Sequence, residues 1–315
     1  MKFKKILTIG ISTASLDEKY WKELKGLADK VISLSKDSSD IEKELSDTDC
    51  ILTGFGIEIN KRHIDLAKNL KYIGTLATAY GKIDVDYAKK KNIPVCNLGG
   101  YSTEGVAEFT IAAILEHIRA LGEGKSRAHA GNYSEVGIKA TEIKGKKFGV
   151  IGLGNIGGRV AEIAQGFGAN VSYWSRSKKS VFEKQGIKYQ ELDTLLKEAD
   201  FVSINLAETK DTENFFDAKK FKLLKSGAVV INTAPMEIVN LKALTERLAK
   251  NDMTFILDHS DQMKDEDVKS LIKFKNCIVY PPIAYITDEA RANKQQTFIS
   301  NIENFFKGTS TNRVN

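Results

Sequence analysis

The residues whose types and spacing point most directly to chemistry are Gly152-Leu153-Gly154-Asn155-Ile156-Gly157. This spacing sets glycine at a tight turn, at a point where backbone can approach a pyrophosphate, and at a close helix–strand contact. Taken alone, such glycines also mark ordinary turns. The flanking residues sharpen the reading. Lys147-Phe-Gly-Val-Ile151 precedes the motif as an apolar, β-rich run, and Ile156, Val160, Ala161, Ile163, Ala164 and Phe167 follow it at helical spacing. A strand, a glycine turn and a helix N-terminus together aim backbone N–H groups at an anion, which predicts a dinucleotide. The next β-rich run, 171–174, leads into Ser175-Arg176-Ser177-Lys178-Lys179-Ser180. A site selective for NAD offers a carboxylate to the ribose 2′-hydroxyl near this place. This turn has hydroxyls, a guanidinium and ammonium groups, which suit a 2′-phosphate. We therefore expect NADP(H) in preference to NAD(H), held by Gly152, Gly154, Asn155, Ile156, Gly157, Ser175, Arg176, Ser177 and Lys178. The bland alternative is a glycine turn without a ligand followed by a solvated basic loop.

The elements that must position these groups follow from the alternation of short β-rich runs with helical patterns, the appearance of parallel sheets with crossover helices. Runs at 6–11, 31–34, 50–53, 72–76 and 94–98 predict five strands separated by four helices, a flavodoxin-like unit. A long helix over 103–121, with Ser102 or Thr103 as its N-cap, leads into a second set of strands at 148–151, 171–174, 201–206, 229–234, 254–258 and 277–280. A last helix over 288–306 returns to the first domain. The fold class expected is α/β with two doubly wound parallel-sheet domains. Residues 1–100 and 285–315 form the flavodoxin-like substrate or lid domain, and 101–284 form the Rossmann domain that binds NADP.

Composition narrows the classes of function. With 315 residues and 42% hydrophobic content, two ordinary cores are affordable. The start Met1-Lys2-Phe3-Lys4-Lys5 has the charge of a signal n-region, but the apolar run after it, 6–11, is too short for an h-region or a membrane span. A cytoplasmic protein is the expectation. Cys50, Cys96 and Cys277 are widely spaced within apolar runs and read as buried thiols. The net charge of +6 is mild and acids are interspersed with the bases, which favours small anions over nucleic acid and gives no membrane partner. No spacing of His, Cys and acids suggests a metal.

Across nearly its whole length the chain resembles the D-isomer-specific 2-hydroxyacid dehydrogenases. The resemblance rests on Thr75-Leu-Ala-Thr-Ala-Tyr-Gly-Lys-Ile-Asp84, Val95-Cys-Asn-Leu-Gly-Gly-Tyr-Ser-Thr-Glu104, Val106-Ala-Glu108, the glycine motif, Leu223-Leu-Lys-Ser-Gly-Ala-Val-Val-Ile-Asn-Thr-Ala234 and Ile283-Ala-Tyr-Ile-Thr-Asp-Glu-Ala290. Residues 174–180 resemble the glyoxylate and hydroxypyruvate reductases that use NADPH, and 75–80 the glycerate dehydrogenase branch. The resemblance implies a homodimer through the nucleotide domains and reduction of a 2-oxo acid in an interdomain cleft. It adds Thr233 and Asp258 to the cofactor set and makes Ala77, Thr78, Ala79, Tyr80 and Gly81 a substrate loop.

Family chemistry uses an Arg to grip the substrate, a His to give a proton and a Glu to tune that His. The Arg position reads Pro235, followed by Met236 in place of glycine; the Glu position falls at about Met263, with Asp261 nearby; and the His position reads Pro282. Proline has neither an ionisable group nor an N–H. Substitute donors are His259, otherwise a surface-loop histidine, and Tyr80 and Tyr285, for which packing is an equal account. Lys82 and Lys264 are further candidates in a chain rich in solvated lysines. His63, His117 and His129 receive no role. Two readings stand: an NADP(H)-dependent oxidoreductase acting on a C=O, CH–OH or related small molecule through a non-standard site, or an inactive NADP(H)-binding pseudoenzyme that a partner reads.

Overall fold

The computed structural model of the chain describes residues 1–260 and 263–315. Two α/β units result, Met1–Ser102 with Thr287–Asn315, and Thr103–Ile286.

In the first unit the strands are β1 (Phe3–Ile9), β2 (Ala28–Leu34), β3 (Cys50–Thr53), β4 (Tyr72–Thr75) and β5 (Val95–Cys96), in the order β2-β1-β3-β4-β5. All pairs are parallel, with Ile6 opposite Cys50 and Cys50 opposite Tyr72. This is the flavodoxin-like order. Every residue of β3 and β4 is buried because helices cover both faces. Phe3, Ile6, Leu52 and Tyr72 pack with Phe298 and Ile302 on one face, and Leu7, Ile9, Ile51 and Ile73 pack with Ile64 and Ala88 on the other. The last helix, Asp288–Phe306, begins where the Thr287 hydroxyl accepts the Ala290 N–H at 2.9 Å. Its Arg291 and Gln295 reach Asp17, beyond the end of β1, while Phe305 and Phe306 lie on Phe3 at the start of β1. The helix thus runs antiparallel to the sheet, with its first turns at the carboxyl ends of the strands.

The second unit holds β6 (Lys147–Ile151), β7 (Asn170–Trp174), β8 (Lys188–Tyr189), β9 (Phe201–Ile204), β10 (Ala228–Asn232), β11 (Met253–Leu257) and β12 (Cys277–Val279). Their order, β12-β11-β10-β9-β6-β7-β8, is the dinucleotide-fold order with one strand added at an edge. The β6–β9 crossover is the point where that order reverses.

Several boundaries differ from the pattern-based ones for local reasons. β1 spans Phe3–Ile9 and not 6–11, because Gly10 turns the chain at φ +68°. The 94–98 run pairs only through Val95 and Cys96, since the Asn97 N–H leaves the sheet to donate to Asn312 O at 3.1 Å. The 103–121 helix ends at Ile118; Ala120 enters the left-handed region at φ +51° and a separate helix, Leu121–His129, follows. No glycine stands at that break to announce it. β8 was absent from the expected six strands of this unit, because two residues of mixed polarity give no period and become a strand only by pairing with β7.

Candidate functional site

The glycine turn links β6 to the Asn155–Gly166 helix at the switch point of the second sheet. Gly152 has φ +91°, and a Cβ there would lie 2.5 Å from the Asn205 carbonyl oxygen. A Cβ on Gly157 would lie 2.0 Å from the Gly152 carbonyl oxygen. These two glycines therefore let three backbone segments meet. Gly154 differs: its φ of −84° suits any residue, and a Cβ there would meet nothing within 4 Å. Its bareness serves no contact within the chain and leaves room for a ligand to approach the backbone. No side chain caps the helix that starts at Asn155, and no acid occupies its first turn, so the N–H groups of Asn155, Ile156 and Gly157 offer the partial positive charge of a helix N-terminus. The buried Oδ1 of Asn205, beside Gly152, has no hydrogen-bond partner among the described residues. Bare glycine and uncapped helix together fit a pyrophosphate-bearing ligand, and the Asn205 oxygen is free to accept from a hydroxyl of such a ligand.

At the end of β7 the basic turn is held from beneath. Buried Tyr173 accepts the Lys179 N–H at 2.6 Å and donates to Glu183 at 3.3 Å, while Ser175 Oγ donates to Ser177 O at 2.6 Å. Lys178 lies over the Tyr189 ring of β8 at 4.9 Å. Arg176 is exposed and makes no side-chain ion pair among the described residues. Glu183 is turned to Tyr173 and Glu191 to Tyr189, and the turn itself carries no carboxylate.

The carboxyl ends of β10 and β11 bring another group together. The His259 ring Nε2 lies 3.1 Å from the Thr233 carbonyl oxygen and 3.9 Å from Asp258 Oδ1. Asp258 is buried and its Oδ2 accepts the Ala284 N–H at 3.1 Å, which draws the 281–286 segment to the end of β11. The alternative of a surface-loop histidine is thereby corrected: His259 is half-buried, bonded to Thr233 just past β10, and its Nδ1 is buried without a partner among the described residues. Pro235 opens a single 3-10 turn, Met236–Ile238, that tucks Met236 and Ile238 into the core, and the Asn232 side chain ties the loop by donating to Ala234 O at 2.8 Å. Met263 packs against the same core. Pro282 is half-buried, and Tyr285 is exposed two residues past the Pro281 carbonyl turn. Asp261 lies outside the described residues.

In the first unit the 77–81 loop leaves the carboxyl end of β4. Leu98 N–H donates to Ala77 O at 3.0 Å, Thr78 Oγ1 donates to Leu98 O at 2.9 Å, and Asn97 Nδ2 donates to Thr78 O at 2.7 Å. The loop is thus stitched to the segment that follows β5, while Ala79, Tyr80 and Gly81 stay exposed. Lys82 and Lys264 are exposed as well. His63 closes a capping box with Asn60 at the start of the Lys61–Leu66 helix. Burial lowers the pKa of His117, and His129 is exposed at the end of the Leu121–His129 helix. Cys50, Cys96 and Cys277 are free and buried, and burial pushes the Cys277 thiol up to about 12, away from thiolate chemistry. No cluster of potential metal ligands occurs among the described residues, nor any helix long and apolar enough to cross a membrane.

Three positions were not among the expected site residues. Gly158 admits the Phe182 ring, which would sit 2.5 Å from a Cβ there; Tyr173 holds the basic turn; and Asn205 sets its backbone carbonyl against Gly152. Only Gly158, adjacent to the motif, left a trace in the sequence.

Comparison with known proteins agrees with this geometry. Residues 111–284 match the family model described as D-isomer specific 2-hydroxyacid dehydrogenase, NAD binding domain. Glyoxylate reductase of Thermococcus litoralis is 31% identical over 277 residues, covering 84% of this chain and 83% of that one. Among solved structures, an acyclic imino acid reductase (Bsp5) in complex with NADPH and D-Arg aligns over 99% of this chain and 100% of that one at 28% identity and a TM-score of 0.86. D-lactate dehydrogenase from Aquifex aeolicus, complexed with NAD and lactic acid, aligns over 96% of each chain at 28% identity and a TM-score of 0.82. Dinucleotide-type topology, a glycine turn at its switch point and similarity over most of the length converge: the chain belongs to the D-isomer-specific 2-hydroxyacid dehydrogenase family of oxidoreductases.

Proposed function

We propose that this protein is an NADP(H)-dependent oxidoreductase that reduces the C=O or C=N bond of a small molecule with side chains other than the family's Arg, Glu and His. The observation that carries the reading is the carboxylate-free basic turn at the end of β7, with Arg176 exposed and Lys178 set over Tyr189 beside the glycine cradle. A 2′-phosphate needs donors and positive charge where a 2′-hydroxyl would need an acceptor. The solved imino acid reductase with NADPH supports the same choice, and with it an imine as a substrate alternative to a carbonyl.

When bound, the nicotinamide supplies the hydride. The backbone N–H groups of Asn155, Ile156 and Gly157 would hold the pyrophosphate; Ser175, Arg176, Ser177 and Lys178 the 2′-phosphate; and Thr233 and Asp258 the nicotinamide end. Pro235 and Pro282 hold no proton and no charge, so neither grips a carboxylate nor protonates a substrate. A neutral His259 that donates through Nε2 to Thr233 O has only an acceptor left at Nδ1, and it gives up a proton only from the imidazolium. The hydroxyls of Tyr80 and Tyr285 are the other donors in this reading. A homodimer through the nucleotide unit belongs to it too, supported by the exposed Leu121, Tyr133 and Val136 and tested by sedimentation.

The test is calorimetric titration with NADPH and NADH, followed by a turnover screen over glyoxylate, hydroxypyruvate and a set of imines. Loss of a positioned acid costs roughly 10² to 10⁴ in rate, so glyoxylate and hydroxypyruvate should turn over very slowly. Turnover at the family's ordinary rate would refute the non-standard site. Tight NADPH binding with no turnover of any compound would favour the second reading, a nucleotide-binding pseudoenzyme, which the loss of ionisable groups at Pro235 and Pro282 also supports.

A further inference from the structure

Tyr173 of β7 and Tyr189 of β8 are partners across the ladder, and their rings meet edge to face with centres 5.6 Å apart. Tyr173 is fully buried, and a buried hydroxyl needs partners. It has two: it accepts the Lys179 N–H at 2.6 Å and donates to Glu183 Oε1 at 3.3 Å. A phenol carries a single proton. With the Lys179 N–H on its acceptor side, that proton is left for the carboxylate. Burial raises the Tyr173 pKa above its ordinary 10.0, so the hydroxyl stays a donor. Tyr189 repeats the arrangement, with its hydroxyl bonded to Glu191 while the Lys178 ammonium lies over its ring.

The carboxylate that Tyr173 holds stands next to the basic turn. Glu183 belongs to the short Ser180–Lys184 helix, and its N–H donates to Lys179 O at 3.2 Å. The Phe182 ring fills the space that Gly158 leaves open, and Gln165 Nε2 donates to Gln185 O at 2.8 Å. Both contacts anchor this segment on the Asn155–Gly166 helix, so the backbone carrying Glu183 is fixed and only the side chain is free to swing. Glu183 and the Lys179 N–H share one phenol oxygen, which puts the acid within two hydrogen-bond lengths of the turn's backbone. Released there, a carboxylate among Arg176, Lys178 and Lys179 would pair with those cations and repel a phosphate. It would also offer a 2′-hydroxyl the acceptor that an NAD-selective site supplies.

We propose that Tyr173 is a positioning residue for cofactor choice: by holding Glu183 on its hydroxyl it keeps a carboxylate out of the basic turn and so keeps the turn selective for a 2′-phosphate. This rests on the NADP(H) reading above and adds to it the group that maintains the selectivity.

The test is calorimetric titration of NADPH and of NADH into the full-length wild type, Y173F, E183Q and Y173F/E183Q. Y173F keeps the ring and its contact with Tyr189 and removes only the hydroxyl. It should bind NADPH roughly 3- to 10-fold more weakly than wild type and NADH no more weakly. E183Q, whose side-chain oxygen still accepts from Tyr173, should match wild type with both cofactors. In Y173F/E183Q the released side chain is neutral, and NADPH affinity should return to within about twofold of wild type. A hydroxyl that only supported the fold would lower both affinities together and would gain nothing from Glu183→Gln. An unchanged NADPH-to-NADH ratio in Y173F, or a double variant as weak for NADPH as Y173F, would therefore overturn the proposal. A wild type without preference for NADPH would overturn the NADP(H) reading itself, whereas a wild-type preference that survives in Y173F would leave that reading standing and remove only the role of Tyr173.

Discussion

The three glycines of the turn should respond to alanine in two opposite ways. In Gly157→Ala the new methyl lies 2.0 Å from the Gly152 carbonyl oxygen, and in Gly152→Ala it lies 2.5 Å from the Asn205 carbonyl oxygen at φ +91°. Both clashes are with backbone, which cannot swing aside, and each should cost about 3 kcal/mol. For a unit of this size, about 1 kcal/mol lowers Tm by roughly 2–4 °C, so each variant should melt roughly 6–12 °C below wild type. Gly154→Ala meets nothing within 4 Å at a φ of −84°. Its fold should be unchanged or more stable by about 0.4–1 kcal/mol, since alanine restricts the unfolded chain. The methyl of Gly154→Ala would instead occupy the ligand's approach and weaken dinucleotide binding at least tenfold, about 1.4 kcal/mol. Scanning calorimetry of the free proteins and titration with NADPH separate the two effects. Wild-type NADPH affinity in Gly154→Ala would show that the pyrophosphate does not pass there. Wild-type melting in Gly157→Ala would show that the helix–strand contact is looser than described.

Other expectations are more local. Arg176→Asp should weaken NADPH binding by roughly 10- to 100-fold and leave NADH within a few-fold; equal losses would remove the 2′-phosphate assignment. Buried Asp49 accepts the Lys4 and Lys5 N–H groups at 3.0 Å each and the Lys71 ammonium at 3.3 Å. Asp49→Ala strands both N–H groups and should cost about 2–4 kcal/mol by denaturant titration, and Asp49→Asn about half of that, because it keeps one acceptor. Gln295 and then Arg291 hold the Asp17 carboxyl below its ordinary 3.8. The stability this adds is present above 3.8 and fades as the pH falls through the lower folded value. In melts below pH 4, Asp17→Asn should lack the part of the acid destabilisation that wild type shows; identical curves would count against the pairing.

The sequence by itself determined the alternation of strands and helices, the glycine turn and the basic residues after β7. Each of these is written in neighbouring residues: apolar period, glycine spacing and charge all act over a few positions. The final helix was legible over 288–306, and the structure adds Thr287 as its cap. The tertiary structure decided what depends on pairing between distant segments. β8 exists only because β7 lies beside it. His259 is a link to Thr233 and not a solvated loop side chain, because β10 and β11 end side by side. The separate duties of Gly152, Gly154 and Gly157 became distinct only once the Asn205 and Gly152 carbonyls stood against two of them and open space against the third. Local spacing specifies elements and turns, whereas burial and close backbone contact arise only when segments far apart in sequence are brought together.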